Sequence, residues 1–487
     1  MSRPTSPDSR SETKATRNVV AFAAVVAVSM YVGVLAYAYY FHRWGIARHH
    51  LESAWMWLVA VALMYALSAG SETSPAGARD VDAFRLSTGL AFVVAAAVLY
   101  LPALRIGFLS DDFVLSRLAI QHEFFGRSWE FLRPLPLLCF KLAGAHPMAL
   151  HAAIVVLHGV NAGLVAALAT ATGQPAATAT VAGALFLTSP GHPEAVAWCS
   201  GLQDVLMTAG VLTAVVLSNA SRERLALPVL LGALLSKETA VAAPALLWLF
   251  NPRRWRVALV GLGVVAAYAA WRLLVLPPAA GYAQAPSWYA LKELLVRPFG
   301  ALTVPVKTSV VAEWPSLGTA LVCALVLLLV RAAWAWRSHR AEIWVGCALA
   351  LSVLVSVAPV YSLFDESPTL QGARYLYLPA AAWSIFVAVL LMSPRSRLNL
   401  AIAAVVLGAS VIGLRANLAP WTAAARMRDE LLATVSRARE TGCTTVWVRS
   451  VPDSVQGAYV FRNGLADAIA PVVLTPSAPP ECWVTAP

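Results

Sequence analysis

The sequence predicts an all-α polytopic membrane protein of about 13 transmembrane helices, followed by a small α/β extracytoplasmic C-terminal segment. Three observations carry that prediction. Of 487 residues, 59% are hydrophobic and 13% are Asp, Glu, Lys or Arg, roughly half the ~25% charged content of an average soluble chain. The mean hydropathy is +0.68. Apolar runs of about 17–25 residues, the length that spans a bilayer, recur along most of the chain. A soluble enzyme or binding module is excluded as the bulk of such a protein, because it could not hide this much apolar surface from water.

In chain order, residues 1–17 form a Ser/Pro-rich tail, expected to be disordered and cytoplasmic. Spanning runs follow near 18–40, 52–70, 86–104, 148–171, 175–190, 202–219, 256–276, 318–334, 341–359, 375–392 and 398–415. The first run is longer than the apolar core of a cleaved signal peptide. Two shorter runs, 226–236 and 239–251, flank Ser236-Lys237-Glu238 and read as short helices meeting at a polar point. Four connections are rich in arginine: Arg222/Arg224, Arg253/Arg254/Arg256, Arg331/Arg337/Arg340 and Arg395/Arg397. All four fall on one side of the count, which the positive-inside rule makes cytoplasmic. Arg43 and Arg48 fall on the other side, so the first two spans fit least well. The body is thus 18–415, with a large first outer loop at 105–147, and 416–487 lies outside. The net charge of +11 is then mostly topology, and nucleic acid is not an expected partner.

The outer C-terminal segment reads as an amphipathic helix over Ala424–Arg439, a strand over Thr445–Val451, a turn at Pro452-Asp453, and short elements near 464–470, 472–474 and 482–484. Cys443 and Cys482 flank predicted strands of one small domain. Their Cα atoms are expected within about 7 Å, the reach of a disulfide, which an oxidising compartment would allow to form. Cys139, Cys199, Cys323 and Cys347 read as small apolar packing residues.

Ionisable groups in or at an apolar body are costly and so are candidate functional groups. Asp111-Asp112 follows the third span. Adjacent carboxylates repel, which favours a raised pKa in one of them. The pair could supply a general base or hold a divalent cation such as Mg or Mn; it could equally start a helix. Arg133 in the same loop could grip a phosphate or simply snorkel. His151, His158 and Asn161 share one helix face, either lining a cavity or bonding between helices. His192 and Glu194 lie in an outer turn, with Asp204 just after. Lys237 sits at a break facing the outer side and suits a lipid phosphate; it could instead pair with Glu238, although adjacent helical residues point apart. Arg374, Tyr375 and Tyr377 open the span at 375–392, as a site or as an interfacial belt.

Taken in order, these segments resemble the GT-C superfamily of integral-membrane glycosyltransferases. The motifs are Asp111-Asp112, Arg133-Pro-Leu135, His151-x6-His158-x2-Asn161, His192-Pro-x-Glu194-Ala-Val-Ala-Trp198, Ser236-Lys-Glu-Thr-Ala240 before Pro244, and Arg374-Tyr-Leu-Tyr-Leu-Pro379. The nearest branch is the protein O-mannosyltransferase-like proteins, which include the transmembrane O-mannosyltransferases acting on cadherins and their bacterial relatives. The resemblance covers roughly 105–380. It implies a polyprenyl-phosphate-sugar donor, a protein or glycan acceptor, an active site on the outer face of a bacterial plasma membrane, and Asp111 or Asp112 as base. The chain lacks the tetratricopeptide arrays of the cadherin-directed relatives and carries an extra helical pair before the third span.

The residues allow the same chemistry. Arg133, Lys237 and Arg374 would neutralise a departing phosphate, a carboxylate would deprotonate an acceptor hydroxyl, and direct displacement would invert the anomeric centre. His151, His192, Glu194, Asp204 and Tyr377 are candidates for the substrate site. No Gly-rich nucleotide loop stands on the cytoplasmic side, which disfavours a nucleotide-sugar donor. The competing readings are a transporter or lipid flippase for a glycolipid, and a non-catalytic relative. A transporter would place its charges near the midplane in paired repeats, and no repeat is found.

Overall fold

The computed structural model describes residues 86–124, 131–144, 146–275, 298–303, 305, 307, 340–360, 369–392, 397–443, 445–469 and 481–485. The tail 1–17, the predicted spans 18–40, 52–70 and 318–334, and the arginines at 331, 337 and 395 lie outside them.

The described chain is mostly helical. It runs α1 (Leu86–Leu99), α2 (Asp111–Ile120), α3 (Pro134–Ala143), α4 (Pro147–Ala171), α5 (Ala176–Leu187), α6 (Pro193–Ala197), α7 (Leu202–Asn219), α8 (Glu223–Ser236), α9 (Ala243–Phe250), α10 (Trp255–Val275), α11 (Arg340–Val357), α12 (Pro379–Met392), α13 (Arg397–Glu440), β1 (Thr445–Arg449), β2 (Ser454–Val455), β3 (Ala458–Tyr459), α14 (Leu465–Ile469) and β4 (Glu481–Thr485). Prolines open α3, α4, α6 and α12, where their fixed φ helps and their missing N–H is no loss.

The GT-C-like architecture of about 13 spans is corrected. Among the described residues, four helices are long and apolar enough to cross a membrane: Pro147–Ala171, Cys199–Asn219, Pro252–Leu274 and Leu398–Glu440. Several apolar runs counted as spans fold as shorter pieces. The run 86–104 is divided where Pro102 enters a 3₁₀ turn at Leu101–Arg105. The run 175–190 yields α5, whose 12 residues reach about 18 Å against a hydrocarbon core of about 30 Å. The run 375–392 opens as a 3₁₀ turn at Ala373–Leu376, so α12 has only 14 residues. An apolar run measures composition; its helix ends where the backbone turns. The integral-membrane character itself stands on the four long apolar helices.

The core forms where α4 packs against α1, α5 and α7, with α8 on α7 and α12 on α5. Small residues set the separations. A Cβ on Gly159 of α4 would lie 2.5 Å from the Val93 Cα of α1. Replacing Gly159 by Leu should therefore force α1 and α4 apart and cost about 1–3 kcal/mol or more, read as a lower unfolding midpoint in detergent; an unchanged midpoint would contradict this packing.

α13 is continuous for 44 residues, with Pro420 inside it. It joins the expected last span to the expected amphipathic helix and runs through position 416 without a break. Beyond it, β1 and β4 pair in parallel, with Val446 opposite Cys482. Cys443 is disulfide-bonded. β2 and β3 form a hairpin whose central residues, Gln456 and Gly457, both have positive φ, as a tight primed turn demands.

Candidate functional site

Asp111 and Asp112 occupy the first turn of α2 but have different surroundings. Asp112 is fully buried. Its Oδ2 accepts from the Leu109 N–H at 2.9 Å, and its Oδ1 accepts from the Ser200 N–H at 2.6 Å and the Ser200 hydroxyl at 2.5 Å. Burial pushes its carboxyl up to about 7, against the pull of those three donors. With both oxygens engaged, Asp112 clasps α2 to the 3₁₀ turn Cys199–Gly201. Asp111 is half-buried, and its Oδ1 accepts from Asn463 Nδ2 at 2.6 Å. The pair therefore does not present two carboxylates to one cation. Among the described residues there is no group of three or more His, Cys, Asp or Glu placed to hold a metal.

Asp112 has a measurable consequence. Its folded-state pKa lies above the unfolded value near 3.8, so the folded chain holds this proton more tightly. Its contribution should fall as pH rises from about 4 to about 7, by on the order of 4 kcal/mol. Unfolding midpoints across that window should flatten in Asp112→Asn. A wild-type slope retained by the variant would assign it to other groups.

The expected cations are each paired with an acid. Arg374 Nη1 meets Glu194 Oε1 at 2.6 Å, and its backbone N–H reaches Oε2 at 3.2 Å. Lys237 Nζ meets Asp204 Oδ1 at 2.5 Å. Arg133 meets Glu238 at 2.7 Å and also donates to Gln203. Arg272, which the sequence did not single out, holds the other oxygen of Glu238 at 2.6 Å. Lys237 and Glu238 are thus neighbours with different partners. The backbone explains why: Lys237 is extended (φ −162°, ψ 140°) between α8 and the 3₁₀ turn Glu238–Ala242, so the two side chains leave the chain in different directions.

Tyr375 links two of these cations, since Lys237 Nζ lies 4.8 Å and the Arg374 guanidinium 5.0 Å from its ring. Arg133 and Arg374 both act on the Lys237 charge. Among the described residues, Arg133, Arg272, Lys237 and Arg374 are held by Glu238, Asp204 and Glu194. Glu194 is buried, which raises its carboxyl above the ordinary range, opposed mainly by Arg374.

Trp198 connects this cluster to the Asp111 turn. Its indole N–H donates to the Leu109 carbonyl at 3.0 Å, and the Arg374 guanidinium lies 4.9 Å over its ring. Tyr459 completes the wall, 4.8 Å from Trp198 and with its hydroxyl 3.4 Å from Glu194 Oε1. A narrow neighbouring crevice is lined by Glu194, Lys307, Asn417 and Trp421, among others. Burial lowers the Lys307 ammonium to about 8, and it donates to the Gln456 carbonyl at 2.6 Å.

The expected histidines go elsewhere. His151 contacts the Gly107 carbonyl at 3.2 Å and Cys199 Sγ at 3.3 Å. His158 bonds the Tyr377 hydroxyl at 2.7 Å, and Asn161 donates to the same hydroxyl at 3.2 Å. His192 packs among Phe186, His158 and Tyr377, where burial lowers its pKa and keeps it neutral. His158, Asn161, His192 and Tyr377 form a buried packing and hydrogen-bonding group inside the bundle, whereas His151 lies against the turn before Asp111 and the turn at Cys199. Asn463, Tyr459, Ser200 and Lys307 were missed, because each meets its partner across a large sequence separation.

No family model, curated protein or solved structure matches the chain in the three comparisons made.

Proposed function

We propose that the protein transfers a sugar from a polyprenyl-phosphate donor to an acceptor hydroxyl, with Asp111 as general base. The observation that carries this reading is the Trp198 bridge: one ring holds the backbone of the Asp111 turn on its edge and Arg374 over its face. The turn that bears a carboxylate with one oxygen in use and a cluster of cations thus meet on two sides of one side chain. The resemblance of the motifs to protein O-mannosyltransferase-like proteins adds support.

In this reaction the acceptor oxygen attacks C1 and gives its proton to Asp111. The bond from C1 to the phosphate oxygen breaks, and the electron pair leaves with the phosphate. The donor is a phosphodiester and the leaving lipid phosphate a monoester, so negative charge accumulates as the bond breaks. Cations aimed at that charge lower the barrier. Arg374 is the most accessible of the three expected cations, with 20% of its side chain exposed against 13% for Arg133 and 5% for Lys237. It meets the phosphate first. A Glu194 that takes up a proton would loosen its hold on Arg374. The anomeric centre inverts, since one displacement occurs. The proposed location is the outer face of a bacterial plasma membrane, with the loop at Arg254 on the cytoplasmic side.

The test is turnover by the purified full chain in lipid nanodiscs. The donors are short-chain polyprenyl-phosphate mannose, glucose and galactose, and release of the lipid phosphate is measured with membrane proteins and glycans as acceptors. Glycans and glycoproteins of a deletion strain are compared with the parent by mass spectrometry. Release with sugar transfer, and a missing glycan, are expected. No turnover and unchanged glycans would overturn the reading. Movement of the lipid across liposomes without sugar release would replace it by the flippase reading.

A further inference from the structure

The C-terminal chain beyond α13 returns across the Asp111 turn and is built onto it. The Ser110 N–H donates to the Val460 carbonyl at 2.9 Å, and the Asn463 N–H donates to the Ser110 hydroxyl oxygen at 3.2 Å. Phe461 stacks on Phe113 with centroids 6.1 Å apart, and Arg117 pairs with Asp467 at 2.7 Å. Gly464, at φ +79°, lies so close to the Ser110 carbonyl that a Cβ would collide with it. Ser110 has φ 48° and ψ −118°, a backbone state that a residue with a Cβ adopts only when its surroundings impose it. The bonds from 460 and 463 are those surroundings.

Within this frame the Asn463 side-chain amide donates to Asp111 Oδ1 at 2.6 Å. Among the described residues, Asp111 Oδ2 has no hydrogen-bond partner. A half-exposed aspartate at a helix start would otherwise turn about its side-chain bonds. The amide ties one oxygen and leaves the other to act. The same segment, four residues earlier, puts the Tyr459 hydroxyl against Glu194. One short stretch therefore contacts both the carboxylate and the acid of the Arg374 pair.

We infer that Asn463 is a positioning residue for Asp111, and that the C-terminal segment is a working part of the site. The inference rests on the reading of Asp111 as base. A base must hold its acceptor within hydrogen-bond reach, and small misplacements are costly in rate. The Asn463 side chain is exposed while its backbone carries the docking bonds, so Asn463→Ala removes the amide and keeps the strap.

Two measurements test this on the full chain. In the first, carbodiimide coupling to glycine ethyl ester at fixed pH is quantified by mass spectrometry at Asp111, with the exposed Asp429 as internal reference. Asn463→Ala should label Asp111 at least ~5-fold faster than wild type, and Asn463→Gln, which keeps an amide, should recover much of the protection; equal labelling in wild type and Asn463→Ala overturns the inference. This arm decides without turnover. In the second, Asn463→Ala should lower kcat about 10-fold with donor KM unchanged, and should add no further loss in an Asp111→Asn background. Additive losses, or a changed KM with unchanged kcat, also overturn it. Parental turnover by Asp111→Asn alone would instead sink the base reading, whatever the labelling shows.

Discussion

Replacing Asp111 by Asn should cut sugar transfer by about 10²–10⁴, the usual worth of a general base, while the protein still inserts and still binds donor. Asn keeps the size and the oxygen that can meet Asn463 but removes the basic oxygen. Asp112→Asn should behave differently. Its Oδ2 accepts from the Leu109 N–H, and an amide placed there sets donor against donor, costing about 1–3 kcal/mol. Turnover per folded molecule should then fall less than in Asp111→Asn, and accumulation should fall more. Kinetics in nanodiscs and membrane protein levels separate the two effects. If both variants transfer at near parental rates, the base is elsewhere, and Glu194, buried against Arg374, is the next candidate.

Removing one partner of the Lys237–Asp204 pair should give the largest loss of stability. Both side chains are almost fully buried, at 5% and 4% exposure. A buried charge left without its partner typically costs about 3–5 kcal/mol. Lys237→Met should therefore lower the unfolding midpoint strongly. The double variant Lys237→Met/Asp204→Leu replaces both charges with apolar groups of similar bulk and should recover most of that stability. It should remain impaired in turnover, because a cation beside Tyr375 is gone. A double variant that regains both stability and turnover would assign the pair to structure alone.

The long helices were largely legible. Pro147 and the apolar run after it foretell α4 almost to the residue, and the run 202–219 coincides with α7. The span count was not, because an apolar run says nothing of where a 3₁₀ turn will divide it, as at Pro102 and Ala373–Leu376. At the site, the sequence marked Asp111, Arg133, Lys237, Glu194, Asp204 and Arg374 one by one, since a charge in an apolar setting stands out. It did not mark the pairings. Lys237 finds Asp204 across 33 positions, and Asn463 finds Asp111 across 352. An exposed Asn after a turn carries no signal until the fold brings it home. Cys443 was a simpler case, as small strands in one short segment leave a cysteine few places to go; it is disulfide-bonded, and the strand bearing Cys482 pairs beside it.

The strap over Ser110 also sets an order of events during synthesis. Chains emerge N-terminal end first, at about 5–20 residues per second, so the Asp111 turn exists for some 350 residues of elongation before Val460 and Asn463 are made. Over about 18–70 seconds the nascent protein gains its long helices one by one but lacks the bonds that hold Ser110 in its strained state. An early-inserted body that could already split an activated lipid-linked sugar would waste it on water. If Asp111 is the base, competence waits for residues 460–463, and a ribosome that stalls before residue 460 should leave an inert intermediate.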